Sequence, residues 1–176
     1  MKEFNKMFND KINLMPELNE KYAVRKEFKK IIGIDIAPKS KEVREGDCTQ
    51  LVFRNYLFDT VFLIDVIEHL ETKDLYKCLD EVQRVLKLGG YAIITTDYDE
   101  DLDNSQVTCP YCNHQFHRWG HIQSFDENII KSIIPDNLKI MVMKRIDFGR
   151  RLKHPGYKYL DSIINKGGLY IVLKKV

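Results

Sequence analysis

The chain has 176 residues, 44% of them apolar, and a formal charge of +2. That suffices for one substantial core and is too little for two ordinary domains, and near-neutral charge gives no compositional case for nucleic acid. No apolar run approaches the roughly 18 residues of a spanning helix, and the polar start Met1-Lys2-Glu3-Phe4-Asn5-Lys6 lacks a signal-peptide core, so a cytoplasmic protein with no membrane partner is expected.

Residues 1–30 read as a charged, helical N-terminal segment, with Phe4, Met7, Phe8 and Ile12 at helical spacing before Pro16. Glu17 to Lys30 continues as a second helix. Ile31 to Ile36 is a short apolar run expected to be a buried strand, followed by a polar connector and Gly46-Asp47-Cys48. Asp59 to Ile64 is the next strand. Leu75, Leu79, Val82 and Leu86 mark one face of a helix from Asp74 to Lys87, with Gly89-Gly90 as its left-handed stop and Tyr91 to Thr96 as the strand beyond.

An acidic linker runs from Asp97 to Asp103, and a Cys/His cluster follows it. Ser124 with Glu127 forms a capping-box pattern opening a helix from Asp126 to Ile134. Leu138–Ile146 and Leu169–Leu173 read as final strands, joined by a basic loop and a short helix around Tyr157–Asn165. Strand, helix, glycine turn, strand is a βαβ order. The fold class expected is α/β: a Rossmann-like, mostly parallel sheet with helices on both faces and a C-terminal antiparallel pair.

Three places carry chemistry. Asp35 ends a strand, where a carboxylate either caps a turn or accepts hydrogen bonds from two hydroxyls of a bound ribose. Asp65, Glu68 and His69 fall at i, i+3 and i+4, so they share one helix face. That face serves either as an acidic first turn satisfying a helix N-terminus or as a divalent-cation site. Glu68 and His69 are also the candidate catalytic bases.

The third is Cys109-Pro110-Tyr111-Cys112, with His114, His117 and His121 after it. Cys-x-x-Cys aims two thiolates at one point, and two imidazoles complete a tetrahedral zinc site. With four protein ligands the zinc would be structural. A disulfide framework is disfavoured because no secretion signal accompanies the cysteines.

The segment Phe58-Asp59-Thr60-Val61, then Asp65-Val66-Ile67-Glu68-His69-Leu70 and Leu88-Gly89-Gly90, resembles the fourth and fifth strands of class I S-adenosylmethionine (SAM)-dependent methyltransferases of the type 11 kind. The resemblance covers roughly residues 31–173 and implies methyl transfer to an acceptor that it does not name. It implies that Asp35 holds the cofactor ribose and Asp47 the adenine amino group. The backbone N–H of Cys48 would face the ring, and Asp65 would line the methionine end. Residues 105–123 resemble a zinc-knuckle insert found in a subset of these enzymes, which selects Cys109, Cys112, His117 and His121 and leaves His114 outside.

The departure is upstream. Residues 1–32 contain no glycine, so the family's glycine-rich cofactor loop and first strand are missing or remodelled. Three readings stay open: a truncated relative, a cofactor site completed by a protein partner, or a pseudoenzyme that acts as a zinc-stabilised binding module. Nucleic acid is not an expected partner.

Overall fold

The computed structural model describes residues 31–146 and 167–176, in two compact units, one reaching Asp47 and the other running from Cys48 to Val176. The helices expected in residues 1–30 and around Tyr157–Asn165 lie outside the described residues. In the first unit, β1 (Gly33–Asp35) pairs in parallel with β2 (Val43–Glu45), and the chain closes behind them when Gly46 N–H donates to the Asp35 carbonyl at 3.0 Å.

The second unit is built on β3 (Phe58–Ile64), α1 (Thr72–Val85), β4 (Leu86–Asp97), α2 (Glu127–Ile133), β7 (Leu138–Ile146) and β8 (Gly168–Lys175). Its main sheet has four strands in the order β3-β4-β8-β7. The β3–β4 pair is parallel and the β4–β8 and β7–β8 pairs are antiparallel, so the sheet is mixed rather than mostly parallel. A parallel pair needs a crossover, and α1 supplies it.

The apolar stripe of α1 is why that helix forms where it does. Leu75, Cys78, Leu79, Val82 and Val85 are buried, and the first four join Leu63, Ala92, Ile94, Leu169, Ile171 and Leu173 in one core. Five consecutive residues of β4, Ala92–Thr96, are buried, as expected of a central strand. Among the described residues no helix is long and apolar enough to cross a membrane.

Two local expectations are corrected. The glycine pair does not cap α1, which ends at Val85 and passes straight into extended Leu86. Instead Gly89, at φ 73°, sits within β4 where the register with β3 slips between Phe58 and Thr60. Gly90 lets two backbones meet: a Cβ there would lie 2.9 Å from the Lys87 carbonyl oxygen and 3.0 Å from that of Asp59. Likewise, Ser124 is not the cap of α2. Asp126 is, its carboxylate accepting from the N–H groups of Asn128 and Ile129, while Glu127 turns to Arg145.

Candidate functional site

The carboxyl end of β3 is locked to β4 by one residue pair. Asp65 adopts φ 52°, a left-handed conformation that Asp tolerates better than most side chains. Its N–H donates to both the carbonyl and the hydroxyl of Thr95 at 3.1 Å, and that hydroxyl donates to Asp65 Oδ1 at 2.6 Å. This turn leads into a single 3-10 turn, Ile67–His69, rather than directly into a helix. Ile67 goes into the core and carries Glu68 inward with it, leaving Glu68 only 1% exposed.

Glu68 Oε2 is buried and has no hydrogen-bond partner. Burial, with the Asp65 and Asp97 carboxylates adding to it, raises the Glu68 pKa to about 7, against the opposing pull of its own backbone N–H and of His121.

The segment after the Cys/His hairpin laces over this turn. The Glu68 carbonyl accepts from Ile122 N–H at 2.9 Å and Gln123 N–H at 3.3 Å, and the Gln123 amide donates to the Leu70 carbonyl. His69 Nδ1 lies 3.1 Å from the Gly120 carbonyl oxygen. Since a carbonyl only accepts, the proton is on Nδ1 and the lone pair on Nε2.

His117 and His121 stack with ring centroids 4.8 Å apart, and both are buried. Glu100 bridges them. His121 Nδ1 is 2.5 Å from Glu100 Oε2 and 3.5 Å from Asp97 Oδ2, whereas His117 Nε2 is 3.3 Å from Glu100 Oε1 without hydrogen-bond geometry. His117 Nδ1 accepts from the N–H groups of Trp119 and His121, so its proton sits on Nε2. Glu100 went unnoticed in the sequence because it is one acid among five in a linker; neither its spacing nor its neighbours distinguish it.

The hairpin itself pairs β5 (Gln106–Thr108) with β6 (Gln115–His117). Its register, Gln106↔His117 and Thr108↔Gln115, puts the two cysteines in the connecting turn and His117 at the base. Asn113, at φ 55°, makes a left-handed turn, which Asn tolerates better than most residues, and its N–H donates to the Cys109 carbonyl at 2.9 Å. The N–H groups of Tyr111 and Cys112 lower the Cys109 thiol pKa, as does the Cys112 side chain.

Among the described residues, two groups bring three potential metal ligands within 4.8 Å of one another: Glu68–His69–His121 and Glu100–His117–His121. Neither includes a cysteine. The structure thus brings His117 and His121 together and does not bring three of the four zinc residues expected from sequence to one point.

The expected cofactor residues divide between the units. Asp35 is exposed and its Oδ1 accepts from Ala37 N–H at 2.7 Å, a turn-capping role; Asp47 is in the same unit. Cys48 and Asp65 belong to the second unit, Cys48 packed against its core.

A family model for the methyltransferase domain matches residues 17–94, the stretch that holds β1, β2, β3 and α1 and most of β4. A tRNA (carboxymethyluridine(34)-5-O)-methyltransferase of Arabidopsis thaliana is 34% identical over 86 residues, covering 44% of this chain and 21% of that protein. A sterol 4-C-methyltransferase of Caenorhabditis elegans is 30% identical over 93 residues, covering 41% of this chain and 27% of its own length. The chain thus spans about a quarter of the length of these curated relatives.

Among solved structures, an S-adenosylmethionine-dependent methyltransferase from Mesorhizobium loti superposes with a TM-score of 0.59 at 12% identity, over 88% of this chain and 84% of that one. By fold the chain is similar to S-adenosylmethionine-dependent methyltransferases, and its residues 17–94, less than half of its length, match the methyltransferase domain.

Proposed function

We propose that the chain acts as a SAM-dependent methyltransferase domain, transferring a methyl group to an acceptor whose identity is open. The observation that carries this reading is the β3–α1–β4 unit, which the matched segment covers as far as Ile94, with its acidic, locked turn at Asp65. In open α/β sheets, ligands bind outside the carboxyl ends of the strands, and that is where Asp65 lies.

By residue type, the first unit offers Asp35, an exposed carboxylate suited to two ribose hydroxyls, and Asp47, suited to an adenine amino group; the second offers the Cys48 N–H, suited to a ring edge, and Asp65, suited to the ammonium of the methionine end. When bound, SAM supplies an electrophilic methyl group on a sulfonium. The Asp65–Thr95 lock fixes the turn at the carboxyl end of β3, and orientation of the bound methyl group would provide most of the acceleration. Glu68 and His69, the candidate bases, gather with His121.

Isothermal titration with SAM and with S-adenosylhomocysteine tests the reading. Micromolar binding is expected, weakened at least about tenfold in Asp35→Ala, in line with the loss of one charge-assisted hydrogen-bonding group. The glycine-free stretch 1–32 favours a second reading, a methyltransferase-fold binding module that relies on a partner chain. A folded protein that binds neither ligand at millimolar concentration would decide for it.

A further inference from the structure

We propose that Cys109 and Cys112 form a reversible dithiol–disulfide pair, oxidised by low-molecular-weight disulfides, rather than half of a four-ligand zinc site. Both cysteines sit in the turn that joins β5 to β6, beyond the last paired residues Thr108 and Gln115. The neck of that turn is closed: Cys109 N–H donates to the His114 carbonyl at 2.8 Å, and Asn113 N–H donates to the Cys109 carbonyl at 2.9 Å. Both thiols are free, Cys109 half-buried and Cys112 exposed, so a small reagent in solution reaches them.

Inside the turn the two sulfurs meet. The N–H groups of Tyr111 and Cys112 hydrogen-bond to the Cys109 sulfur, and so does the Cys112 side chain. A disulfide needs Cα atoms about 4.4–6.8 Å apart. Residues i and i+3 of a closed turn lie within about 7 Å, so the bond closes without moving the strands. The resulting link is transient, unlike the structural framework that a secreted chain carries.

The two histidines expected to join the cysteines are committed elsewhere. His117 Nδ1 accepts the N–H groups of Trp119 and His121, which leaves the proton on Nε2, 3.3 Å from Glu100. Neither nitrogen of that ring offers a lone pair to an ion. His121 turns its Nδ1 to Glu100 at 2.5 Å and packs edge-on against His69. Among the described residues, no group of three ligand atoms within 4.8 Å includes a cysteine. A closed tetrahedral site of two thiolates and two imidazoles therefore does not fit this arrangement, whereas two adjacent thiols can close on each other.

The exchange balances in two steps. The Cys109 thiolate, which its N–H donors favour, attacks one sulfur of the small disulfide, forms a mixed disulfide and expels one thiolate. The Cys112 thiolate then attacks the Cys109 sulfur, forming the Cys109–Cys112 bond and expelling the second. Two electrons pass from the protein to the small disulfide, and the two cysteine protons end on the two thiols released. An excess of the reduced small thiol runs both steps backwards.

The test uses the full chain, reduced and stripped with a chelator, then incubated with oxidised glutathione, alkylated and mapped by peptide mass spectrometry. In the parent, Cys109 and Cys112 should lose alkylation together and become linked without retaining glutathione, and reduced glutathione should restore both. Cys112→Ser should instead accumulate glutathione on Cys109, because the resolving thiol is gone. Both positions lie in a surface turn, and circular dichroism confirms folding of each variant. The thiol state is read without SAM, so the outcome does not depend on methyl transfer.

Three results overturn the proposal. One is full alkylation of both cysteines after oxidised glutathione. Another is a link between two chains, seen on a non-reducing gel, in place of one within the turn. The third comes from titrating the reduced chain with Zn2+: one equivalent bound by the parent, and lost in folded Cys109→Ser and folded His117→Gln alike, would assign all four residues to a zinc ion.

Discussion

The two ends of the main sheet treat charge in opposite ways. At the amino end of β3 and β4, the Arg84 guanidinium donates to both Glu81 oxygens at 2.7 and 2.8 Å, to the carbonyls of Leu51 and Phe53, and to Asn55. Glu81 Oε2 also accepts from Leu51 N–H at 2.6 Å. Lys175, its pKa lowered by burial, donates to the carbonyls of Gln83 and Leu86 and lies 4.2 Å over the Tyr56 ring.

At the carboxyl end the buried groups are left short. Glu68 Oε2, Thr96 Oγ1 and His117 Nε2 are all buried without a hydrogen-bond partner. Charges that close on one another hold a fold together. Polar groups kept buried and open carry a cost that folding alone does not repay, and such groups mark the site.

That contrast is open to direct attack. The largest effect belongs to the open end. Burial raises the Glu68 carboxyl to about 7 from 4.5, so its contribution to stability is complete below pH 4.5 and lost as the pH rises through 7. Between about pH 4 and about pH 8 the parent should lose about 3 kcal/mol more stability than Glu68→Gln, as read by urea unfolding across that range. Equal pH dependence in both proteins would break the comparison.

At the closed end, Arg84→Ala strips five hydrogen bonds from a half-exposed group and should cost about 2 kcal/mol in urea unfolding, with the pH dependence due to Glu68 unchanged. A coupled change in that pH dependence would show that the two ends are not independent.

The smallest effect is a surface control. Hydrogen bonds from the Arg145 guanidinium hold the half-buried Glu127 carboxyl at about 2, below its ordinary 4.5. A depressed carboxylate contributes its stability above the unfolded value and loses it as the folded value is reached. Arg145→Gln should therefore matter slightly at pH 6 and nothing at pH 2, as pH-dependent unfolding would show.

Much of this was legible in the order of residues. The stripe of Leu75, Leu79 and Val82 announced α1, and the apolar runs ending in Asp65 and Thr96 announced a parallel pair, because periodicity and burial are local properties of a chain. Glycine was harder. Gly89-Gly90 reads equally well as a helix stop or as a bulge, and only the close approach of β3 to Gly90 decides. The cap of α2 moved from Ser124 to Asp126 for a similar reason, since both are good caps and the loop's path chooses between them.

By itself, the sequence determined the βαβ core, the acidic stretch after β3 and the presence of a Cys/His cluster, since each depends on neighbours a few residues apart. Tertiary structure alone decided which histidines face which carboxylates. Glu100 and Glu68 reach His121 across separations of 21 and 53 residues, and no local pattern encodes such pairings. They follow from the main-chain bonds of Ile122 and Gln123 to Glu68, which pin the loop over the turn and so set the direction of each imidazole's lone pair.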